Sequence, residues 1–154
     1  MTGSKREKTF IGLIIIAVIF FLSSLYLYYL YYPDLDNKKF LKEYGWEVLG
    51  NRRSEGESVL LSDDFLESDI ALMKISASEK IGLDPGKYRE KEIDRYQYLL
   101  RQTGLNSSLR AEVWRYKGKV ICACISHMEL NVRIHFWSLD TPHQEIQYEL
   151  QTAK

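Results

Sequence analysis

From Phe10 to Leu30 the chain reads FIGLIIIAVIFFLSSLYLYYL, 21 residues without a charge, and it stays uncharged through Tyr31 and Tyr32. As a helix rising about 1.5 Å per residue, this run is about 30 Å long, the thickness of the hydrocarbon core of a bilayer. Fourteen of its residues are Leu, Ile, Phe or Val. At roughly −0.3 to −0.6 kcal/mol each, their insertion into lipid is favourable by several kcal/mol. Residues 10–32 are therefore expected to cross a membrane once, with the lipid bilayer as partner.

The flanking charges set the expected orientation. Lys5, Arg6 and Lys8 precede the run, and Asp34 and Asp36 follow it. The positive-inside rule then places residues 1–9 in the cytoplasm and everything after the span outside the cell membrane. Tyr26, Tyr28, Tyr29, Tyr31 and Tyr32 gather at the outer end, where amphipathic rings favour the interface. A cleaved signal peptide is the rival reading. The charged start suits it, but the run is too long and has no A-x-A-like site. Gly12 is the single glycine of the span, so no G-x-x-x-G helix-pairing face exists.

About 120 residues follow Pro33, enough for one domain with its own core. The formal net charge is zero, which gives no electrostatic case for nucleic acid as a partner. Cys122 and Cys124 are one residue apart, which is no disulfide framework. The expected domain is α+β: an antiparallel sheet covered by one main helix and a short helix, over residues 38–139.

Residues 33–37 read as a linker. Asp36 or Asn37 can cap a short helix from Lys38 with Phe40, Leu41 and Tyr44 as its stripe, ended by Gly45. Trp46 to Leu49 and Ser58 to Leu61 read as short strands around a polar turn, Asn51 to Glu57. Ser62 or Asp63 opens the main helix, in which Leu66, Ile70, Met73 and Ala77 recur at helical spacing before Gly82. Leu83 to Gly86 is a turn by its chemistry. Strands are expected over Glu92 to Leu100, Leu109 to Tyr116, Lys119 to His127 and Val132 to Ser138. Loops separate them at Thr103 to Ser108, at Lys117-Gly118 and at Met128 to Asn131. Residues 140–154 read as a polar, loosely held tail, with room for a helical piece.

A three-residue loop with Gly118 as the bulge residue, favoured over a two-residue turn, would pair Arg115 with Lys119. Val113 then faces Ile121, Ala111 faces Ala123 and Leu109 faces Ile125, an apolar face for the main helix to cover. Pairing His127 with Val132 would extend that face through Ile134 and Phe136. The expected core joins Trp46, Phe65, Ile70, Met73, Ile121, Ile125, Ile134 and Phe136. The opposite face becomes the candidate binding face, with Arg110, Glu112, Trp114, Cys122, Cys124, Arg133, His135 and Trp137. In this register Glu112 lies opposite Cys122, and Cys124 opposite both Arg110 and His135. Either the face is covered, by the first helix or the tail, or its tryptophans mark a contact surface.

FLKEYGWEV (Phe40 to Val48), the helix with an acidic start, LDPGKY (Leu83 to Tyr88), RYQY (Arg95 to Tyr98) and YKGKVI (Tyr116 to Ile121) occur in this order. The chain in this respect resembles a Gram-positive, mostly clostridial, family of small membrane-anchored proteins defined only as a domain of unknown function. The resemblance covers roughly Phe40 to Trp137. It implies an α+β domain outside the membrane and brings no catalytic residues with it. Where small or acidic residues are expected after the hairpin, this chain has Cys122 and Cys124.

Two sharper readings compete with that plain one. Cys122, Cys124 and His135 would give a soft metal three ligands, with Glu112 as a fourth. Metal motifs place C-x2-C in a loop rather than C-x-C in a strand, so structural thiols are the default and no metal or cofactor is expected. Cys124 with His135 would make a nucleophile pair, but no orienting group or oxyanion loop is legible. No G-x-S-x-G, phosphate loop or dinucleotide fingerprint is present. His127, His135 and His143 are evenly spaced, yet the expected register sends the first two to opposite faces. No catalytic residue is assigned.

Three function classes follow. The first, which the sequence favours, is a single-pass anchored, non-catalytic binding or regulatory domain that meets an envelope protein or wall component. The second is an accessory subunit of a membrane complex. The third is a thiol- or metal-dependent enzyme using Cys122, Cys124 and His135.

Overall fold

The structure, a computed structural model, describes residues 3–49, 56–101, 109–127 and 134–152. The chain divides into two compact units, Met1–Asp36 and Asn37–Lys154. The first helix, α1, runs Gly3–Glu43 with Pro33 inside it. It is long and apolar enough to cross a membrane. From Phe10 to Tyr28 every side chain except the half-buried Gly12 is exposed. The expected linker over 33–37 is thus helical. Proline removes one backbone donor. Extending an existing helix adds a hydrogen bond for each further residue fixed, so the helix continues through the proline despite the weak helix formers beside it. It ends as expected at Gly45, whose φ of +82° is the left-handed cap conformation. There Trp46 N–H reaches Leu41 C=O at 3.1 Å, and Gly45 N–H reaches Lys42 C=O at 2.9 Å.

The second unit is the α+β domain expected from the sequence. Five antiparallel strands lie in the order β1-β2-β3-β4-β5. They are β1 (Glu57–Leu60), β2 (Glu92–Leu99), β3 (Leu109–Tyr116), β4 (Lys119–His127) and β5 (His135–Trp137). Trp46 to Leu49 is no strand, since Val48 makes an isolated bridge to Leu100. The main helix is two helices, α2 (Asp63–Leu66) and α3 (Asp69–Glu79). Each helix has its own serine cap, and the second, Ser68, sits at the break. Ser62 Oγ accepts from Phe65 N–H at 3.2 Å, and Ser68 Oγ accepts from Ala71 N–H at 3.3 Å, starting a second helix. The expected loops at 103–108 and 128–131, residues 51–55 of the polar turn, and Val132 and Arg133 of the expected last strand lie outside the described residues.

Both strand registers differ from expectation. Tyr116 pairs with Lys119 across a two-residue turn in which Lys117 and Gly118 have φ of +48° and +81°. Positive φ at both residues makes the primed turn that matches strand twist. The pairing then shifts between Trp114 and Arg115. Arg115 faces Val120 and Trp114 faces Cys122, so Ile121 is the extra, bulged residue. Val113 therefore faces Ala123 rather than Ile121, and Glu112 faces Cys124 rather than Cys122. On the other side of β4, His127 pairs with His135, Ser126 with Phe136 and Ile125 with Trp137. This is an odd-numbered slip from the expected pairing, and an odd slip exchanges faces. Phe136 moves to the cysteine face. His135 and Trp137 move to the face of Ile125, and His127 shares a face with His135.

Both faces of the sheet are covered. Tyr96, Tyr98, Leu109, Ala111, Val113, Ala123 and Ile125 form one cluster with Leu41, Trp46, Trp137, Leu139 and Ile146. Ile93, Trp114, Ile121 and Cys122 form a second with Leu61 and Leu66, against which Phe65 and Ile75 pack. The single expected core is thus split. α3 covers the second face, not the first. Ile70 and Met73 are 47% and 44% exposed, because α3 turns Ala71, Lys74, Ala77 and Ser78 inward. Small side chains let the helix axis approach the sheet closely.

The C-terminal segment is also corrected. It forms a last helix, α4 (His143–Thr152), that buries Ile146 completely. Leu139 and Ile146 belong to the first cluster, and Leu150 packs against it. Trp46 Nε1 donates to Leu139 C=O at 2.8 Å, and Trp137 Nε1 donates to Glu149 Oε2 at 2.6 Å. The polar composition hid two apolar side chains one helical turn apart, at i and i+4.

Candidate functional site

α3 carries a lysine onto the sheet. Lys74 Nζ meets both carboxylate oxygens of Glu112 on β3, at 2.8 and 2.9 Å. Their side chains are 9% and 5% exposed. Trp114 Nε1 donates to Glu112 Oε1 at 2.6 Å, and Gln97 Nε2 to Oε2 at 3.3 Å. Each oxygen thus accepts twice, which uses the lone pairs of a carboxylate. Aromatic rings flank the ammonium. Its nitrogen lies 5.9 Å from the Trp114 ring centroid and 5.6 Å from that of Phe136, distances suited to cation–π attraction.

The thiols lie next to this pair but are sealed. Cys122 and Cys124 are free and fully buried. Ser78 Oγ lies 2.9 Å from Cys122 Sγ. Burial pushes the Cys122 thiol up to about 12, against a smaller lowering by the Ser78 contact. Burial also raises Cys124 well above the ordinary thiol range, helped by neighbouring Cys122. Thiolates are the reactive and metal-binding form, so neither side chain is poised for chemistry. Alternation along β5 puts His135 on the opposite face, stacked on Trp137 at 5.6 Å. The supposed ligand set and nucleophile pair are thereby taken apart. Among the described residues, no three His, Cys, Asp or Glu side chains stand together as a metal would require.

A cleft opens beside the ion pair instead. Ile70, Lys74, Gln97, Arg110, Glu112, Ser126, Ile134 and Phe136 line a volume of about 150 Å3. Arg110 is exposed, and its guanidinium has no ion pair among the described residues.

Of the sequence-derived face, Arg110 and Glu112 thus belong to one cleft. Trp114 and Cys122 are buried in the second cluster, with Phe65 and Trp114 ring centroids 5.6 Å apart, and Cys124 is fully buried as well. His135 and Trp137 are elsewhere, and Arg133 is outside the described residues. Lys74, Gln97 and Ser126 were not singled out by the sequence, while Ile70, Ile134 and Phe136 were assigned to the core. One signal pointed to Lys74: it shares a helix face with Ala71, Ala77 and Ser78, a stripe of small residues with one long cation in it. Comparison with protein-family models, with curated proteins and with solved structures gives no match, so the resemblance to the clostridial family rests on its quoted residues alone.

Proposed function

We propose that this chain is a single-pass membrane protein whose α+β domain faces the outside of the cell and has a non-catalytic binding or regulatory role at the envelope. The observation that carries the reading is the outward display of apolar side chains around α1 from Phe10 to Tyr28. In water such a surface is unfavourable by about 25 cal/mol per Å2. In a bilayer it is solvated. The basic residues before the run and the acidic ones after it support the orientation. The sealed thiols remove support from a thiol enzyme, and the cleft beside Lys74 and Glu112 suits binding.

The test is protease accessibility in intact protoplasts of a Gram-positive host expressing the full chain with an epitope tag after Lys154. External protease should remove the tag and spare a tag placed before Met1. Protection of the C-terminal tag, with loss of the N-terminal one, would reverse the orientation. Release of the protein by carbonate extraction would sink the anchor.

A further inference from the structure

From the cleft between α3 and the sheet we infer that the domain binds a compact carboxylate carrying an apolar group. This deepens the binding part of the proposed function and rests on it. Three observations converge. First, the lining holds two cations, Lys74 and Arg110, against one carboxylate, Glu112. Glu112 is already saturated by Lys74, Trp114 and Gln97. The charge left to a ligand is positive, and it favours an anion over a cation. Second, Arg110 is exposed with no ion pair among the described residues. Its planar fork matches a carboxylate in two parallel hydrogen bonds. Third, the walls are Ile70, Ile134 and Phe136. These would take an apolar body, with Phe136 offering a ring face for offset stacking.

Size narrows the ligand. The volume of about 150 Å3 lies below the roughly 300–1,000 Å3 of pockets for drug-sized ligands. It suits one ring or one side chain next to a carboxylate. Two sources supply that chemistry, a small free acid and the C-terminal residue of a peptide. In either case the carboxylate meets Arg110 and the remaining N–H of Lys74, and the apolar group enters between Ile70 and Phe136.

The test uses full-length protein in phosphatidylcholine nanodiscs and isothermal calorimetry. The probes are 3-phenylpropionate, its neutral amide, and N-acetyl-alanyl-phenylalanine with a free or an amidated C-terminus. The acids should bind saturably with a Kd of about 1 mM or tighter, and their amides about tenfold more weakly or worse. Arg110→Gln, at an exposed position, should weaken the acids by about tenfold with an unchanged melting temperature. Ile70→Ser should weaken them by about threefold through the apolar wall. Tighter binding of the peptide acid assigns the site to a peptide terminus, and the reverse order assigns it to a small acid. Absence of saturation up to about 10 mM, equal binding of acids and amides, or parental affinity in Arg110→Gln each overturns the inference. Binding by purified protein does not depend on which side of the membrane the domain occupies. Failure here therefore leaves the anchor and its orientation standing, and failure of the protoplast experiment leaves the cleft standing.

Discussion

Ser78 and Ala123 are joined twice: Ala123 N–H donates to Ser78 Oγ at 3.1 Å, and the same hydroxyl lies 3.1 Å from Ala123 C=O. β5 ends at Trp137, opposite Ile125, so β4 has no strand partner at Ala123 on that side. A helix side chain supplies the missing acceptor, and its single proton is shared between Ala123 C=O and the nearer Lys74 C=O at 2.8 Å. Ser78→Ala should leave the buried Ala123 N–H unpaired and destabilise the fold by about 1–3 kcal/mol. Urea unfolding of the full chain in nonionic detergent, followed by tryptophan emission, measures it. A loss below about 0.5 kcal/mol, typical of surface sites, would mean that water replaces the hydroxyl.

The Lys74–Glu112 pair should show the asymmetry of buried ion pairs. Removing one partner leaves an unpaired charge under α3 and should destabilise by about 3–5 kcal/mol. Lys74→Met combined with Glu112→Gln keeps an acceptor for Trp114 Nε1 and should be milder than Lys74→Met alone. The double-mutant cycle in the same urea assay is the check, and simple additivity would contradict a direct coupling.

The buried thiols should make stability depend on alkaline pH. Cys122 is raised from 9.0 to about 12 in the fold, and Cys124 is raised as well. Between those values the unfolded chain loses protons that the folded chain keeps. The contribution is therefore fully present below pH 9.0 and is lost as pH rises towards about 12. The difference in stability between the parent and Cys122→Ala/Cys124→Ala should shift in favour of the variant above pH 9.0. A pH-independent difference would refute the assignment. At neutral pH both thiols should resist a thiol reagent until urea is added.

Core substitutions should separate the two sides of the corrected register. Ile125→Ala and Ile146→Ala each empty a fully buried site and should cost about 2–5 kcal/mol. Met73→Ala, at 44% exposure, should stay within about 0.5 kcal/mol. If Ile146→Ala proved as silent as Met73→Ala, α4 would be a docked tail rather than part of the core.

These sites also show what could be read from the residues. The β3–β4 hairpin was legible to the residue because Lys117-Gly118 has a turn chemistry and the flanking strands are rich in β-branched and aromatic side chains. Its register was not, since the bulge at Ile121 leaves no mark in local composition. For β5 the pattern HFW offers an apolar residue to either face, so the parity of pairing was undetermined and Phe136 and Trp137 changed places. α3 misled through size. Its large side chains Ile70, Leu72 and Met73 are exposed, at 47%, 51% and 44%, while Ala71, Ala77 and Ser78 are buried. Periodicity reports that a helix has two faces, and the close approach of helix and sheet decides which one is inside. The candidate site suffered most, because it depends on Lys74 meeting Glu112, a long-range contact with no local signature.

The first cluster has a consequence for biosynthesis. Its members include Leu41 and Trp46, just after the apolar run, and Leu139 and Ile146, about 100 residues later. A chain made from its N-terminus presents the early members first and the closing helix last. Tyr96, Tyr98, Val113 and Ile125 therefore stay uncovered on one side of the sheet until Leu139 and Ile146 have been made. Contacts this distant along the chain close slowly and leave apolar surface exposed meanwhile. Synthesis of α4, rather than completion of the hairpins, then sets the moment at which this cluster can close.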